Sequence, residues 1–335
     1  MADVDLSLPT LHSNILAAQQ RIKRYVRRTP LEYSPVLSHQ GQCRVYLKME
    51  NEQVTGSMKA RGAFNKLSKL LEEDPAVKEQ GPITSSSGNH ALACTHAMQT
   101  LGVQGTIFIP ENVSSSKNEK LKLTGVSLLY HGMDCVETEK KGRQTALDKG
   151  ATYISPYNDL DVIAGQGTIG AEIFEDLPDV DAVLISVGGG GLVSGIAAFM
   201  KHVKPEVRII GCQPSLSKVM FECVKAGRIL FEDSGDTLSD GTAGGIEEGS
   251  VTFEFCKKYI DEWILVPEEQ IERAIYFMME HHHRIVEGAA GTAIGAFMQE
   301  PEKFKDQNVA IISCGANISM DKIKMIINKY HVGPM

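Results

Sequence analysis

Residues 182–200, AVLISVGGGGLVSGIAAFM, decide the fold. The apolar run 182–187 is typical of a buried strand, and the small residues of 192–200 favour a helix. The glycines between them predict a tight turn whose backbone N–H groups surround an anion at the helix N-terminus. The turn lacks the Lys-Ser/Thr of a Walker A loop and the G-x-G-x-x-G spacing of a dinucleotide site. A single phosphate is the predicted ligand, and a purely structural turn is the alternative.

The remainder of the chain repeats this alternation of strand and helix. Helices are predicted over 14–28, 60–73 and 90–101. Strands are predicted over 44–48, 82–84, 106–109, 127–130, 207–211, 263–266 and 309–313, in addition to 182–187. Strands that alternate with helices indicate an α/β fold of parallel βαβ units, with both faces of the sheet covered.

Composition excludes several classes of protein. The 335 residues carry a net charge of -8, which disfavours a nucleic-acid partner. No apolar stretch reaches the ~18 residues that cross a bilayer, and the N-terminus lacks the pattern of a secretory signal. The 7 cysteines include no C-x-x-C, so neither a disulfide framework nor a zinc ribbon is indicated. We therefore expect a cytoplasmic protein with no membrane partner.

Three further motifs place polar groups at the ends of predicted elements. Residues 85–90, SSSGNH, join a strand to a helix and could bind a carboxylate, or form an ordinary helix cap. In residues 57–63, SMKARGA, Lys59 lies at a helix start, where a desolvated amine becomes a nucleophile or base. Residues 311–317, IISCGAN, end a strand, and ligands of α/β proteins collect at such ends. The alternatives are a surface lysine and a small buried cysteine.

Taken in order, and with residues 162–168, VIAGQGT, these motifs resemble the fold-type II family of pyridoxal 5′-phosphate (PLP) enzymes. The resemblance covers about residues 16–328 and is to the serine/threonine dehydratase and serine racemase branch. It implies a tryptophan synthase β-like α/β fold with two open, mostly parallel sheets flanked by helices. It also implies a large domain of residues 1–75 and 159–335, a small domain of residues 76–158, a cofactor in the cleft between them, and a homodimer.

The resemblance also implies roles for individual residues. Lys59 would carry PLP covalently and move the α-proton of the substrate. The phosphate of PLP would lie on Gly188, Gly189, Gly190, Gly191 and Leu192. Further cofactor contacts would come from Met58, Asn89 (to the 3′-oxygen), Tyr157 (by stacking), Gly241, Glu287 and Cys314 (beside the pyridine nitrogen). The substrate carboxylate would lie on Ser86, Ser87, Gly88, Asn89 and His90. For Glu287 a structural role is the alternative.

The implied reaction is dehydration of L-threonine, L-serine or a related 3-hydroxy amino acid to a 2-oxo acid and ammonia. A neutral thiol at Cys314 weakens the electron sink and favours β-elimination, as in the animal-type serine dehydratases. Ser87 keeps an amino-acid racemase open, because racemases of this branch use a serine there as the second base. A nucleotide-binding protein is disfavoured by the missing G-x-G-x-x-G motif. A PLP-binding protein without turnover is disfavoured by the presence of Lys59 and Ser87.

Two stretches bear on metal binding, and neither favours it. The racemase metal site uses acidic residues after the strand at 207–212, whereas residues 213–219 here, QPSLSKV, contain no carboxylate. His281, His282 and His283 point about 100° apart on a helix and cannot converge on one ion. We expect no metal site of the racemase kind and a solvated helix end at the histidines. Residues 232–250, rich in Gly, Ser, Asp and Glu, are predicted to form a functional or mobile loop.

Overall fold

Two sheets with parallel strands form the framework, as the sequence predicts. The computed structural model describes residues 7–113, 115–133, 135–231 and 234–331. The strands are β1 (Leu31–Tyr33), β2 (Arg44–Lys48), β3 (Ile83–Ser85), β4 (Thr106–Ile109), β5 (Ser127–Tyr130), β6 (Ala182–Ser186), β7 (Arg208–Pro214), β8 (Glu262–Val266) and β9 (Asn308–Ile312).

Helices connect these strands. They are α1 (Leu8–Ile22), α2 (Pro35–Gly41), α3 (Lys59–Glu73), α4 (Val77–Gln80), α5 (Asn89–Leu101), α6 (Ser115–Lys122), α7 (Cys135–Lys149), α8 (Leu160–Asp176), α9 (Gly191–Val203), α10 (Val219–Ala226), α11 (Val251–Tyr259), α12 (Glu268–His282), α13 (Gly288–Gln299) and α14 (Met320–Tyr330). Short 3-10 turns cover Glu50–Glu52, Val54–Gly56 and Pro301–Phe304. Within the described residues, no helix is long and apolar enough to cross a membrane.

The larger sheet has the strand order β1-β2-β9-β6-β7-β8. All its strands are parallel to their neighbours except β1, which pairs antiparallel with β2. Every residue of β6 and β9 is buried, as expected for central strands covered by helices on both faces. Helices α2, α9 and α13 pack against this sheet. The carboxyl ends of β6 and β9 lie side by side, so the segments that follow them meet at one edge.

The smaller sheet has the order β3-β4-β5, and its strands are parallel. Helices α5 and α7 pack against β3. All these elements lie within residues 76–158, the predicted small domain. The two domain boundaries themselves stay a prediction.

Close contacts between glycines bring the lysine motif and the glycine turn together. A Cβ atom at Gly165 would lie 2.6 Å from the Arg61 carbonyl, and one at Gly195 would lie 2.3 Å from the Ile163 carbonyl. Helix α8 therefore packs at van der Waals distance against both α3 and α9, which a side chain at either glycine would prevent. The N-termini of α3 and α9 follow the lysine motif and the glycine turn, respectively.

Two local predictions differ from the structure. Helix α1 begins at Leu8 rather than at 14, because Pro9 suits the first turn of a helix, and it ends at Ile22 rather than at 28. The prediction of a solvated helix end at His281–His283 is wrong for His282, which is buried and lies 2.9 Å from the Ser34 hydroxyl. The ring of His282 packs inward because it has this polar partner.

A network of four buried charges fixes the start of α3. The Arg61 guanidinium donates to Glu50 at 2.7 Å and to Glu172 at 2.7 Å. The Lys48 ammonium donates to Glu172 at 2.5 Å and to the Thr29 carbonyl at 2.7 Å. Burial disfavours the charge on Glu50, but Arg61 and Lys48 outweigh it and hold the pKa of Glu50 below its usual range. The network ties α3 to β2, α8 and the Glu50 turn.

Removing one cation from this network should destabilise the fold. Arg61→Met leaves the Glu50 and Glu172 carboxylates buried with one cation between them, and we expect a loss of about 3–5 kcal/mol in the free energy of unfolding. Arg28→Met breaks exposed ion pairs with Glu175 and Asp176, for which about 0–1 kcal/mol is expected. Urea unfolding of both variants measures the difference. Equal losses would contradict a stabilising role for the buried network.

Candidate active site

Backbone pairing places Lys59 at the carboxyl end of β9. The Met58 N–H donates to the Cys314 carbonyl at 3.0 Å, and Ser57 forms an antiparallel bridge with Gly315. The segment before Lys59 therefore runs along the segment after β9, and α3 begins at Lys59 itself. Met58 is half-buried against the core beside this pairing.

The Lys59 amine faces the junction of the two predicted domains. Its Nζ atom donates to the Pro156 carbonyl at 2.7 Å. Burial lowers the pKa of Lys59 to about 8, and this shift is opposed by Cys314, Cys94 and Glu287, among other groups. An amine with this pKa is partly uncharged near neutral pH, so it can attack a carbonyl carbon or accept a proton.

The glycine turn forms a concave backbone surface next to β6. Gly190 has a φ of 85°, a conformation that favours glycine, and α9 begins at the next residue. A Cβ atom at Gly188 would lie 2.9 Å from Thr242, and one at Gly189 would lie 2.4 Å from the ring of Tyr157. The turn is thus lined by backbone, and the N–H groups of the first turn of α9 have no acceptor within the helix. This arrangement suits a phosphate. Leu192 is buried in the first turn of α9.

Tyr157 lies against the glycine turn. Its hydroxyl accepts a hydrogen bond from the Glu247 N–H at 2.9 Å. The neighbouring side chain of Asn158 accepts from the Val251 N–H at 3.0 Å. Stacking of Tyr157 on a cofactor ring stays a prediction.

The loop after β3 leads into the first turn of α5, whose N–H groups have no acceptor within the helix. The Ser86 hydroxyl accepts from the Gly88 N–H at 3.1 Å, and no side chain caps the N-terminus of α5. Ser87 is half-buried, and its hydroxyl has no hydrogen-bond partner among the described residues. A carboxylate could accept from the first N–H groups of α5 and from Ser87. Its binding there stays a prediction.

The imidazole of His90 points into the small domain. Its Nε2 lies 3.0 Å from the Thr84 hydroxyl and 3.3 Å from the Ile154 carbonyl. Burial, with the Lys59 charge, lowers the pKa of His90 to about 3, so the ring is neutral. His90 can therefore make its predicted substrate contact through its backbone N–H, and not through its ring.

Glu287 binds Asn89 and Asn317 at one side of the site, which we call the floor. Its carboxylate accepts from the Asn89 amide at 2.8 Å and from the Asn317 N–H at 3.0 Å. The Asn317 amide donates in turn to the Asn89 oxygen at 2.7 Å. Burial raises the pKa of Glu287. These hydrogen bonds hold Asn89 in one orientation. The position of Glu287 is compatible both with a cofactor contact and with a structural role.

Gly241 and Cys314 complete the floor. A Cβ atom at Gly241 would lie 3.4 Å from a Glu287 oxygen, so this residue lies close to the same carboxylate. Cys314 is buried at the carboxyl end of β9. Burial raises the pKa of its thiol well above the usual value, so the thiol stays neutral.

Gln213, near the end of β7, makes a hydrogen-bonded bridge. Gln213 donates from its amide to the Val187 carbonyl at 2.9 Å and accepts from the Phe221 N–H at 2.8 Å. It connects the end of β6, just before the glycine turn, to α10. In the described part of the chain, His, Cys, Asp and Glu side chains form no cluster of three that could hold a metal ion.

Several contacts of the site could not be read from the sequence. The Pro156 carbonyl that accepts from Lys59 carries no motif because it is a backbone group. Asn317 ends the IISCGAN stretch of residues 311–317, and its hydrogen bond to Asn89 forms only in the folded chain. Two ion pairs join the small domain to residues 234–250, which we call the cover segment: Arg143 with Glu247 at 2.6 Å and Lys117 with Asp240 at 3.2 Å. Positions 232 and 233 of the predicted loop lie outside the described residues.

Comparison with known proteins identifies relatives along nearly the whole chain. The model of the pyridoxal-phosphate dependent enzyme family matches residues 22–315. The chain is 41% identical to an L-threonine ammonia-lyase of Thermotoga maritima over 316 residues, which is 94% of this chain and 78% of that protein.

Solved structures are similar over the same range. The processed form of threonine deaminase isoform 2 from Solanum lycopersicum has a TM-score of 0.90 and 32% identity, covering 97% of this chain and 94% of that one. Maize serine racemase has a TM-score of 0.87 and 29% identity, covering 96% of this chain and 97% of that one.

The lowered pKa of Lys59 should be visible in its reactivity. Labelling with an aldehyde and a hydride reductant requires the uncharged amine, so labelling of Lys59 should rise about tenfold from pH 7 to 9 and level off above its pKa of about 8. Peptide mapping across pH measures this, with the exposed Lys225 as internal reference. Parallel profiles for the two lysines would contradict the environment described for Lys59.

Proposed function

The chain belongs to the pyridoxal-phosphate dependent enzyme family, and we propose that it is an ammonia-lyase that converts L-threonine, L-serine or a related 3-hydroxy amino acid to a 2-oxo acid and ammonia. The observation that carries the proposal is the Lys59 amine, with a pKa of about 8, placed where the carboxyl end of β9 meets the Pro156 carbonyl. Similarity to a threonine ammonia-lyase and a threonine deaminase supports the substrate class.

The residues present fit PLP. A side chain at Gly189 would occupy the space of the Tyr157 ring, so the glycine turn is shaped by backbone and suits a phosphate. We propose that Gly188–Gly191 and Leu192 hold the phosphate and that Lys59 holds the aldehyde carbon. Asn89, Cys314 and Gly241 would border the pyridine ring, with Glu287 behind Asn89. When bound, PLP stabilises negative charge that develops at the α-carbon of an amino acid.

The chain's own residues supply orientation and proton transfer. The N–H groups at the start of α5 and the Ser86–Ser87 hydroxyls would hold the substrate carboxylate. The Lys59 amine, uncharged in a large fraction of molecules near pH 8, would take the α-proton. The neutral Cys314 thiol supports elimination of the β-hydroxyl, because it provides no negative charge to keep a pyridine nitrogen protonated.

An amino-acid racemase is the second candidate, and Ser87 is the observation that favours it. Its hydroxyl is free of protein partners among the described residues, so it is available as a second proton donor and acceptor. The structure named maize serine racemase is similar over 96% of this chain. A bifunctional enzyme would use Lys59 for both reactions and Ser87 for racemisation alone.

The proposals for assembly and location rest on the family resemblance and on composition. The family resemblance supports a homodimer, and the composition supports a cytoplasmic protein whose partner is a small amino acid rather than a nucleic acid or a membrane. No metal site is proposed, because the carboxyl end of β7 is occupied by the neutral Gln213 amide bridge.

The glycine turn can be tested through cofactor affinity. Gly189→Ala would place a methyl group 2.4 Å from a Tyr157 ring carbon, so the ring or the turn must shift. We expect PLP to bind at least about tenfold more weakly, which corresponds to about 1.4 kcal/mol. Absorbance titration of the apoprotein measures this affinity. Gly245→Ala is the matched control, since a Cβ atom there meets nothing within 4 Å. Equal affinities in the two variants would contradict the phosphate assignment.

The reaction itself is tested by two substitutions at the proposed catalytic residues. Lys59→Ala should lower 2-oxo acid formation from L-threonine and L-serine by at least about a thousandfold, because proton transfer and covalent attachment are both lost. Ser87→Ala should abolish any D-isomer formation and retain 2-oxo acid formation within about tenfold. Assays of ammonia, 2-oxo acid and D/L product measure all outcomes. Turnover in Lys59→Ala, or loss of neither activity in Ser87→Ala, would contradict the assigned roles.

A further inference from the structure

Four side chains at the small-domain side of the site have no role in the function proposed above. They project from α7, from the segment before Tyr157 and from the cover segment, and they are Glu139, Arg143, Tyr153 and Glu247. We call them the acidic side group. The charge of Glu139 acts on Lys59, as does that of Glu287, which is already hydrogen-bonded to Asn89 and Asn317.

The packing of α7 fixes the position of Glu139. The Ser85 hydroxyl donates to the Thr138 carbonyl at 3.2 Å, and a Cβ atom at Gly142 would lie 2.2 Å from the same hydroxyl. The first turns of α7 therefore rest on the carboxyl end of β3. Because Ser85 directly precedes the loop 86–90, Glu139 lies beside the proposed carboxylate-binding loop.

The positive charge of Arg143 is already neutralised. Arg143 lies one helical turn after Glu139, on the same face of α7. Its guanidinium pairs with Glu247 at 2.6 Å and lies 4.4 Å from the centre of the Tyr153 ring. Glu139 has no ion-pair or hydrogen-bond partner among the described residues, and it is half-buried. The group as a whole is thus neutral when Glu139 is protonated and negative when it is ionised.

Two atoms of the acidic side group can form a further hydrogen bond. The Glu247 Oε1 atom is buried and has no hydrogen-bond partner in the described part of the chain. The buried Tyr153 hydroxyl has only the Ser85 hydroxyl near it, and that group already donates to the Thr138 carbonyl. Buried polar atoms in native proteins are normally hydrogen-bonded, so such atoms beside a substrate site indicate room for a polar group of a ligand. A hydroxyl satisfies them, because it both donates and accepts.

We propose that Glu139 determines specificity for the substrate side chain: it faces the β-substituent, admits a neutral hydroxyl, and disfavours a substrate with a second carboxylate. The inference rests on the proposed function, since it takes the loop 86–90 as the site of the α-carboxylate. Like charges repel more strongly in partly buried surroundings than in water, which gives the selection its physical basis.

The titration of Glu139 gives the inference a pH signature. Burial raises the pKa of Glu139 to about 7, Arg143 and Lys59 oppose the shift, and Glu247 adds to it. Tyr153 and Tyr157 face the same space and stay neutral, because burial raises their pKa values. The carboxyl is charged above pH 7 and uncharged below it. Discrimination against a second carboxylate should therefore increase as the pH rises from 6 to 8.5.

Equilibrium binding tests this without turnover. L-alanine and L-aspartate both lack the β-hydroxyl, and only L-aspartate carries a second carboxylate. Calorimetry on the PLP-loaded enzyme at pH 8.5 should give a Kd for L-aspartate at least about tenfold higher than the Kd for L-alanine. The ratio of these two Kd values should be at least about threefold smaller at pH 6. In Glu139→Gln the ratio should fall about tenfold at pH 8.5 and lose its pH dependence.

Turnover provides the second readout. The ratio of kcat/KM for L-serine to that for 3-hydroxyaspartate should fall about tenfold in Glu139→Gln, with kcat for L-serine kept within about fivefold. Asp148→Asn is the matched control, because Asp148 is an exposed carboxylate on the same helix. Asp148→Asn should leave unchanged both the ratio of the two Kd values and the ratio of the two kcat/KM values.

Outcomes that overturn this inference differ from those that overturn the proposed function. A wild-type enzyme that binds L-aspartate as tightly as L-alanine at pH 8.5 overturns the specificity role of Glu139, as do ratios that Glu139→Gln leaves within twofold of wild type. Either result is compatible with efficient dehydration of L-serine. Absence of both 2-oxo acid formation and amino-acid binding in the wild type would instead overturn the proposed function, and this inference would fall with it.

Discussion

The site depends on the buried pairing of Arg61 with Glu50 and Glu172, together with Lys48. Arg61 lies two residues after Lys59, so whatever fixes its guanidinium also fixes the first turn of α3. Buried ion pairs contribute little net stability, because desolvation offsets the attraction, but breaking one is costly. The main effect of the network is therefore to hold α3 in one position. It does so only when all four charged side chains are present.

The same low-dielectric surroundings give each titratable group of the site its proton affinity. Burial lowers the pKa of Lys59 and His90 and raises the pKa of Glu287 and Cys314. All four shifts favour the neutral form, as desolvation requires. The four groups differ in their hydrogen-bond partners. Glu287 accepts from the Asn89 amide and from the Asn317 backbone N–H, whereas Lys59 has one carbonyl acceptor. A lysine with so few partners remains chemically available, which is the property that a covalent cofactor site needs.

The sequence predicts the framework well because its signals are local. Apolar runs such as 182–187 and 309–313 identify strands, and β6 and β9 occupy those positions within one residue. The three-residue strand β1 carries too short a pattern to be predicted, and Pro9 begins α1 earlier than periodicity suggests. In the site, motifs at strand–helix junctions identify Lys59 and the glycine turn. The contacts from Asn89 to Glu287, 198 residues apart, and from Lys59 to the Pro156 carbonyl, 97 residues apart, depend on tertiary packing and leave no local pattern.

The division of groups between the two sheets bears on the choice between elimination and racemisation. Lys59, Cys314 and the glycine turn belong to the larger sheet, whereas Ser87 belongs to a loop of the smaller one. A single base on the larger sheet is sufficient for elimination, but racemisation also requires Ser87 to be held on the opposite face of the substrate. The ion pairs from Arg143 and Lys117 to the cover segment join the two parts. A racemase role for Ser87 therefore requires both sheets to be held in place, whereas elimination by Lys59 requires the larger sheet alone.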